Sequence, residues 1–242
     1  MKTLCVIPAR GGSKRVKNKN IRLLNGIPLI AYTIRDAQEA QSVAISVVST
    51  DDEKIAVIAL KEGVKCIMRP IEYATDEAPI YFALRHAVKE IERSEGWLPD
   101  IVVWLQPNVP FREKGLVDRV IKKLIDNFEK TDTVSTVFEA DQHPESMKII
   151  RGDLLEFREK PMVLRFRTQE MPKTYMHDGS VQAIKTKVLM DESIPQIDGH
   201  FYMGRIMPFI HDFPYILEVD HEEDFYLLEY VLNRKLIPEA QK

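Results

Sequence analysis

The chain has 242 residues, of which 45% are hydrophobic and 29% charged, with a formal net charge of −3. That balance is ordinary for a folded globular protein and gives no overall basic field for nucleic acid. No apolar stretch approaches the roughly 20 residues of a bilayer-spanning helix, and no signal-peptide pattern opens the sequence. The two cysteines, Cys5 and Cys66, lie in apolar runs and read as reduced core residues. A cytoplasmic protein of enzyme size, with neither a membrane nor a nucleic-acid partner, is expected.

Leu4 to Ile7 is a short apolar run that reads as a buried strand. Pro8 ends it, and the following loop holds Gly11, Gly12 and the cations Arg10, Lys14, Arg15, Lys17 and Lys19. Glycines allow sharp turns and bring bare backbone N–H groups close to an anion, so the loop suits a polyphosphate. A solvated basic turn is the alternative, because the spacing is not that of a P-loop. Apolar residues recur at helical spacing from Leu29 to Ala37, with Pro28 at the first turn. Val43 to Val48 reads as a buried parallel-type strand. Ser49-Thr50-Asp51-Asp52 then supplies caps for a helix from Glu53 to Glu62, stopped by Gly63. Val64 to Met68 is a third strand, broken by Arg69-Pro70. A loop through Ala74-Thr75-Asp76 leads to a long helix from Ile80 to Glu95. Ile101 to Leu105 is the most apolar strand, and Gln106 to Arg112 follow its end. A helix from Lys114 to Asn127 and a strand from Thr133 to Phe138 continue the alternation.

Strands alternating with helices of this length imply βαβ units, a mostly parallel sheet and strand-end loops gathered along one edge. The pattern changes after Glu139. Residues 140–178 carry short alternating runs, Met147 to Ile150 and Leu154 to Phe157. They predict a small antiparallel arm, suited to a dimer contact, inserted in a single domain spanning 1–242. Further strands are expected at Ser180 to Ile184, Phe201 to Met207 and Tyr215 to Val219, and a last helix at Glu222 to Arg234.

Glu218-Val219-Asp220 puts two carboxylates at i and i+2, on one face of an extended segment. They can hold one hard divalent cation, Mg²⁺ or Mn²⁺, or simply face solvent while Asp220 caps the last helix. Gln106 offers an amide that reads a base or sugar edge, or caps its own loop. Asp178-Gly179-Ser180 reads as a turn, compatible with a plain hairpin connection. His143, His177, His200, His211 and His221 lack zinc-site spacing and read as surface or loop residues, and His86 as a packed helical one.

Ile7-Pro8-Ala9-Arg10-Gly11-Gly12-Ser13-Lys14, with Lys19-Asn20, resembles the opening motif of the acylneuraminate cytidylyltransferase (CMP-sialic acid synthetase) family of sugar nucleotidylyltransferases. Four further motifs match in the same order: Ser49-Thr50-Asp51-Asp52, Arg69-Pro70 with Ala74-Thr75-Asp76, Leu105-Gln106-Pro107 with Arg112, and Asp220-His221-Glu222-Glu223-Asp224-Phe225. The resemblance implies a Rossmann-like α/β fold, a mostly parallel sheet flanked by helices. It implies a homodimer that uses Mg²⁺ or Mn²⁺ to transfer CMP from CTP to an acidic nonulosonic sugar, releasing pyrophosphate. Carried over by position, Arg10, Gly11, Gly12, Ser13, Lys14, Asn20, Arg69 and Gln106 bind the nucleotide. Arg10, Lys19 and Asp220 are the catalytic set, and Asp220 with Glu218 the metal ligands. Gln106, Gln182, Phe201 and Tyr202 face the sugar.

The chain departs from the family pattern at several of these places. Glu218 stands for the usual Asp, and Asp178-Gly179-Ser180-Val181-Gln182 for Asn-Gly-Ala-Ile-Tyr. Pro79-Ile80 replaces two serines, and Asn108-Val109-Pro110-Phe111 replaces Thr-Ser-Pro-Leu. Arg165 and Arg167 are candidates for a sugar carboxylate, with an exposed place on the arm as their alternative. These differences leave open which sugar is used. They also leave open a related enzyme taking another nucleotide, such as GTP, with a sugar 1-phosphate, and a nucleotide-sugar-binding protein without catalysis.

Overall fold

The computed structural model describes residues 1–158, 171–194, 203–212 and 214–237. In chain order the elements are β1 (Thr3–Pro8), the short β2 (Leu23–Leu24) and β3 (Ile27–Pro28), α1 (Leu29–Glu39), β4 (Ile45–Thr50), α2 (Glu53–Lys61) and β5 (Lys65–Met68). Then follow α3 (Ile80–Glu95), β6 (Ile101–Trp104), α4 (Leu116–Asp126), β7 (Thr133–Glu139), the hairpin β8 (Lys148–Arg151) and β9 (Leu154–Phe157), β10 (Tyr175–Lys185), α5 (Thr186–Met190), β11 (Ile206–Ile210) and α6 (Glu222–Asn233).

The main sheet has seven strands in the order β11-β7-β10-β6-β1-β4-β5. All its neighbours pair in parallel except at β10, which runs antiparallel to both β6 and β7. The expected mostly parallel α/β sheet is thus the one observed. Period-2 alternation along β1 divides the core. Cys5 and Ile7 pack with α1, α2 and α4 on one face, whereas Leu4 and Val6 pack with α3 and α5 on the other. A third cluster seats Phe225, Leu228 and Val231 of α6 on Leu24, Leu29 and Phe111.

Three expectations are corrected. Asp178-Gly179 is not a hairpin turn. β10 begins earlier, at Tyr175, and its register against β7 shifts between His177 and Gln182. Gly179 carries the irregularity with φ +69°. Second, Tyr215 to Val219 forms no strand. Tyr215 and Leu217 pack on the third cluster, the Val219 N–H donates to the Asn108 carbonyl at 2.8 Å, and β11 holds the sheet edge beside β7. The alternation there records packing on α6, not a ladder. Third, the strand sought at Phe201 to Met207 is found at Ile206–Ile210, and Phe201, Tyr202, Arg165 and Arg167 lie outside the described residues. α5 leaves no signature in the sequence, because its five residues are too few for a helical period.

The outer strands are tied by Asp132. Buried Lys185 donates to its Oδ1 at 3.1 Å, and the Arg205 backbone N–H and Nε donate to Oδ2 at 2.9 and 3.0 Å. The Arg205 side-chain bonds, reinforced by Lys185, hold the Asp132 carboxyl well below the usual carboxylate range. Its charge therefore contributes stability that is complete above the unfolded aspartate pKa of about 4 and is lost as the pH falls below that value. Asp132→Asn should lower stability at pH 7 by about 1–3 kcal/mol. It should also flatten the acid limb of a melting-temperature profile below about pH 4, and thermal melts across pH 2 to 7 read both effects.

Candidate active site

A cavity of about 850 Å³ opens at the C-terminal ends of β1, β5 and β6. Because β10 is reversed, its first half reaches the same edge and contributes His177. The lining is of two kinds. Arg10, Lys14, Arg15, Lys19 and Asp220 are charged, whereas Tyr73, Pro79, Ile80 and Trp104 are apolar or aromatic.

The opening loop is braced from below. The Ala9 N–H donates to the Ser49 carbonyl at 2.9 Å, and Asn20 Nδ2 donates to the Arg10 carbonyl at 3.0 Å. The Gly11 N–H donates to Asp51 Oδ1 at 3.2 Å. A Cβ on Gly11 would lie 2.5 Å from Asp52 Oδ2, so glycine is required there by close approach. Gly12 has open space, and neither glycine adopts positive φ. The sharp turn expected of both is made instead by Asn18, at φ 56°. Asp52 is the α2 cap, accepting from the Lys54 and Ile55 N–H groups at 2.7 and 3.2 Å. Asp51 acts elsewhere. Besides accepting from Gly11, it faces the buried Arg69 guanidinium at 3.7 Å. Burial pulls the Arg69 pKa down, and Asp51 opposes that shift.

Two carboxylates share four cations of the cavity. Lys19 Nζ donates to Asp220 Oδ1 at 3.2 Å and to the Val219 carbonyl at 2.7 Å, and Arg15 Nη1 donates to Asp220 Oδ2 at 3.0 Å. Arg10 Nη2 meets Asp76 Oδ1 at 2.7 Å, and Lys14 Nζ meets Asp76 Oδ2. Asp220 does not cap α6. His221 takes that position, and Asp224 Oδ2 accepts from the Asp220 and His221 N–H groups, each at 2.7 Å. The Asp220 carboxylate is left to the cavity.

Val219 is buried between Glu218 and Asp220, so both acids project away from the third cluster. Glu218 stands outside the cavity lining, accepting from Asn108 Nδ2 at 3.4 Å. Partial desolvation, and then the Asp220 charge, push its carboxyl above the usual value. Among the described residues no group of three His, Cys, Asp or Glu forms a ready metal cage. Asp220 faces the cavity with Glu218 two residues away, and a carboxylate beside phosphate-sized space fits a magnesium-like ion, which takes one or two carboxylates and completes its shell with phosphate and water oxygens.

Gln106 lies two residues beyond β6 and packs directly on Gly179. A Cβ at 179 would lie 2.6 Å from the Gln106 Cδ and Nε2. Gln182 is buried opposite Trp104 and Ser135 and does not line the cavity. Trp104 and His177 do, with rings stacked 6.4 Å apart between centroids. Neither stands out in the sequence, where Trp104 reads as one more apolar strand residue and His177 as a surface histidine. Only the reversed pairing of β10 with β6 brings them together. His211, also expected at the surface, is 7% exposed and donates from Nε2 to Asp178 Oδ2, while Asp178 Oδ1 accepts from Thr136 Oγ1 at 2.6 Å and the Ser180 N–H at 2.8 Å. Burial holds the His211 pKa below its ordinary value. His143 is buried too, its Nδ1 accepting from the Glu145 N–H at 3.2 Å.

A family profile described as cytidylyltransferase matches residues 4–235. The chain belongs to the cytidylyltransferase family. It is accordingly a nucleotidyltransferase, as the motifs implied. Pseudaminic acid cytidylyltransferase of Campylobacter jejuni subsp. jejuni serotype O:23/36 (strain 81-176) is 34% identical over 193 residues, which are 79% of this chain and 82% of that protein. The post-translational flagellin modification protein B of Campylobacter coli is 31% identical over 237 residues, 96% of this chain and 95% of that protein. The fold is shared with a CMP:2-keto-3-deoxy-manno-octonic acid synthetase solved in complex with CTP, at a TM-score of 0.70 and 19% identity, covering 97% of this chain and 100% of that one. Among the described residues no helix is long and apolar enough to cross a membrane.

Gly179→Ala tests the packing of this cytidylyltransferase around Gln106. The left-handed backbone penalty of about 1–2 kcal/mol should lower the melting temperature by about 2–8 °C. Displacement of the Gln106 amide should cut turnover by about 10- to 100-fold, the scale of an ångström-sized misplacement. Thermal melts and steady-state kinetics measure the two.

Proposed function

We propose that this cytidylyltransferase transfers CMP from CTP to an acidic nine-carbon sugar of the nonulosonic class and releases pyrophosphate. The observation that carries this reading is the convergence of Arg10, Lys14, Arg15 and Lys19 with Gln106 and Asp220 on one cavity. The likeness to pseudaminic acid cytidylyltransferase supports the choice of acceptor. In this reading Arg10, Ser13, Lys14, Lys19 and Asn20 hold the triphosphate, and Arg69 and Gln106 lie toward the cytidine and sugar. The anomeric hydroxyl attacks the α-phosphorus in line, forming the new P–O bond as the bond to pyrophosphate breaks and the hydroxyl proton departs. Negative charge grows on the phosphoryl and leaving oxygens. The fixed cations meet that charge in place, and most of the remaining acceleration comes from positioning.

Asp220 with Glu218 would hold Mg²⁺ or Mn²⁺, which supplies charge neutralisation to the triphosphate when bound. The place of Asp220 on the cavity lining, with Glu218 two residues away, supports that assignment. The exposed Ile150, Leu154, Leu155 and Phe157 of the β8–β9 hairpin support an arm that packs on a second copy of the chain. Two free thiols, Cys5 and Cys66, suit a reducing cytoplasm.

Purified protein with Mg²⁺ and CTP should release pyrophosphate with at least one member of a panel of nonulosonic acids. Turnover confined to a hexose 1-phosphate, with CTP or GTP, overturns the reading. Arg10→Ala should lower kcat/KM roughly 10- to 1,000-fold, as for a lost charge-stabilising donor. Asp220→Asn should abolish activation by Mg²⁺ in a metal titration of the same assay, and an unchanged Mg²⁺ response would return Asp220 to a purely structural role.

A further inference from the structure

Asp76 is a carboxylate of the cavity to which the proposed chemistry gives no role. It sits on the loop between β5 and α3, far in sequence from the opening loop, yet it touches both of that loop's forward cations. Its Oδ1 lies 2.7 Å from Arg10 Nη2, and its Oδ2 meets Lys14 Nζ. The loop that presents it is ordered at both sides. The Ala78 N–H donates to Thr75 Oγ1 at 3.1 Å, and the Tyr73 ring stacks on Phe82 at 5.5 Å between centroids. Asp220 holds two more of the loop's cations, Arg15 and Lys19. Asp220 can turn to a divalent ion once phosphate replaces it, with Glu218 two residues away.

We propose that Asp76 is a specificity-determining residue: an internal anion that occupies Arg10 and Lys14 and yields them only to a ligand carrying several phosphate charges. This deepens the reading above and rests on it, since it takes Arg10 and Lys14 as triphosphate ligands. Each pair is partly exposed and individually weak. The threshold is therefore low for a tri- or diphosphate, whose charges act together, and significant for a monoanion. The same contact works on the way out. When pyrophosphate leaves, Asp76 returns to both cations, so they do not retain the product.

The probes are inorganic tripolyphosphate and pyrophosphate, titrated calorimetrically into the wild-type protein and Asp76→Asn. The variant should bind both about 3- to 10-fold more tightly, the range two partly exposed ion pairs supply. Product inhibition by pyrophosphate should strengthen by a similar factor, and cytidine, which brings no phosphate, should bind the two proteins equally. In an Arg10→Ala background the gain from Asp76→Asn should shrink, as a double-mutant cycle requires of residues in contact. Equal or weaker tripolyphosphate binding by Asp76→Asn overturns the role. Loss of binding seen only with Mg²⁺ present also overturns it, by making Asp76 a metal ligand. Failure of both proteins to bind CTP or tripolyphosphate removes the nucleotide reading and this inference together. Wild-type binding without a gain in the variant removes only the role of Asp76.

Discussion

Arg112 is 4% exposed, and its guanidinium joins three parts of the chain. Nη2 donates to the Gln106 carbonyl at 2.7 Å, Nη1 to the Val109 carbonyl at 2.8 Å, and Nε to the Ser180 carbonyl at 2.9 Å. Nη1 also reaches Thr33 Oγ1 and Asp36 Oδ2 on α1, at 3.1 and 3.2 Å. The strand-end loop after β6, the irregular part of β10 and the first helix are held by this one planar fork. A lysine offers all its donors from a single point and cannot span such acceptors. Burial lowers the Arg112 pKa and pushes the Asp36 carboxyl up to about 7, and each partner's charge opposes the other's shift. Remove the fork, and the Gln106 backbone loses the bond that fixes its amide against Gly179.

On that frame the cavity is an electrostatic device with little covalent chemistry of its own. Four of its cations face two carboxylates, so the site is partly charge-compensated before any ligand arrives. Preorganisation of this kind avoids reorganising solvent as charge develops. Lys19, tied to the Val219 carbonyl as well as to Asp220, also ties the opening loop to the segment that precedes α6.

Much of the architecture is legible in the sequence because it is local. β1 and β6 are short apolar runs, β4 overlaps the run Val43 to Val48 and ends at Thr50, and α3 is bounded where its periodicity is, from Ile80 to Glu95. The loops at their ends gather on one edge by the handedness of the crossovers. What is illegible depends on partners far away in the chain. Nothing near His211 says that Asp178 will receive it. Nothing near Trp104 says that a reversed strand will lay His177 on its ring. The alternation of Tyr215 to Val219 is real but serves a helix rather than a ladder. Gly11 and Gly12 look alike in sequence, and only the position of Asp52 distinguishes them.

The reversed strand β10 acts as a seam. On one side lie β6, β1, β4 and β5, whose ends carry the basic loop, Arg69 and Gln106, and on the other lie β7, β11 and the chain leading to the β8–β9 hairpin. Among the described residues the cavity lining comes from the loops of the first block and from Asp220 ahead of α6, and His177 is contributed by the seam strand itself. The departures from the family pattern at Asp178 to Gln182 fall on the seam itself. His177 and the Gly179 irregularity that packs on Gln106 both lie on this strand, so a shift in its pairing with β7 moves one wall of the cavity while the first block keeps its packing.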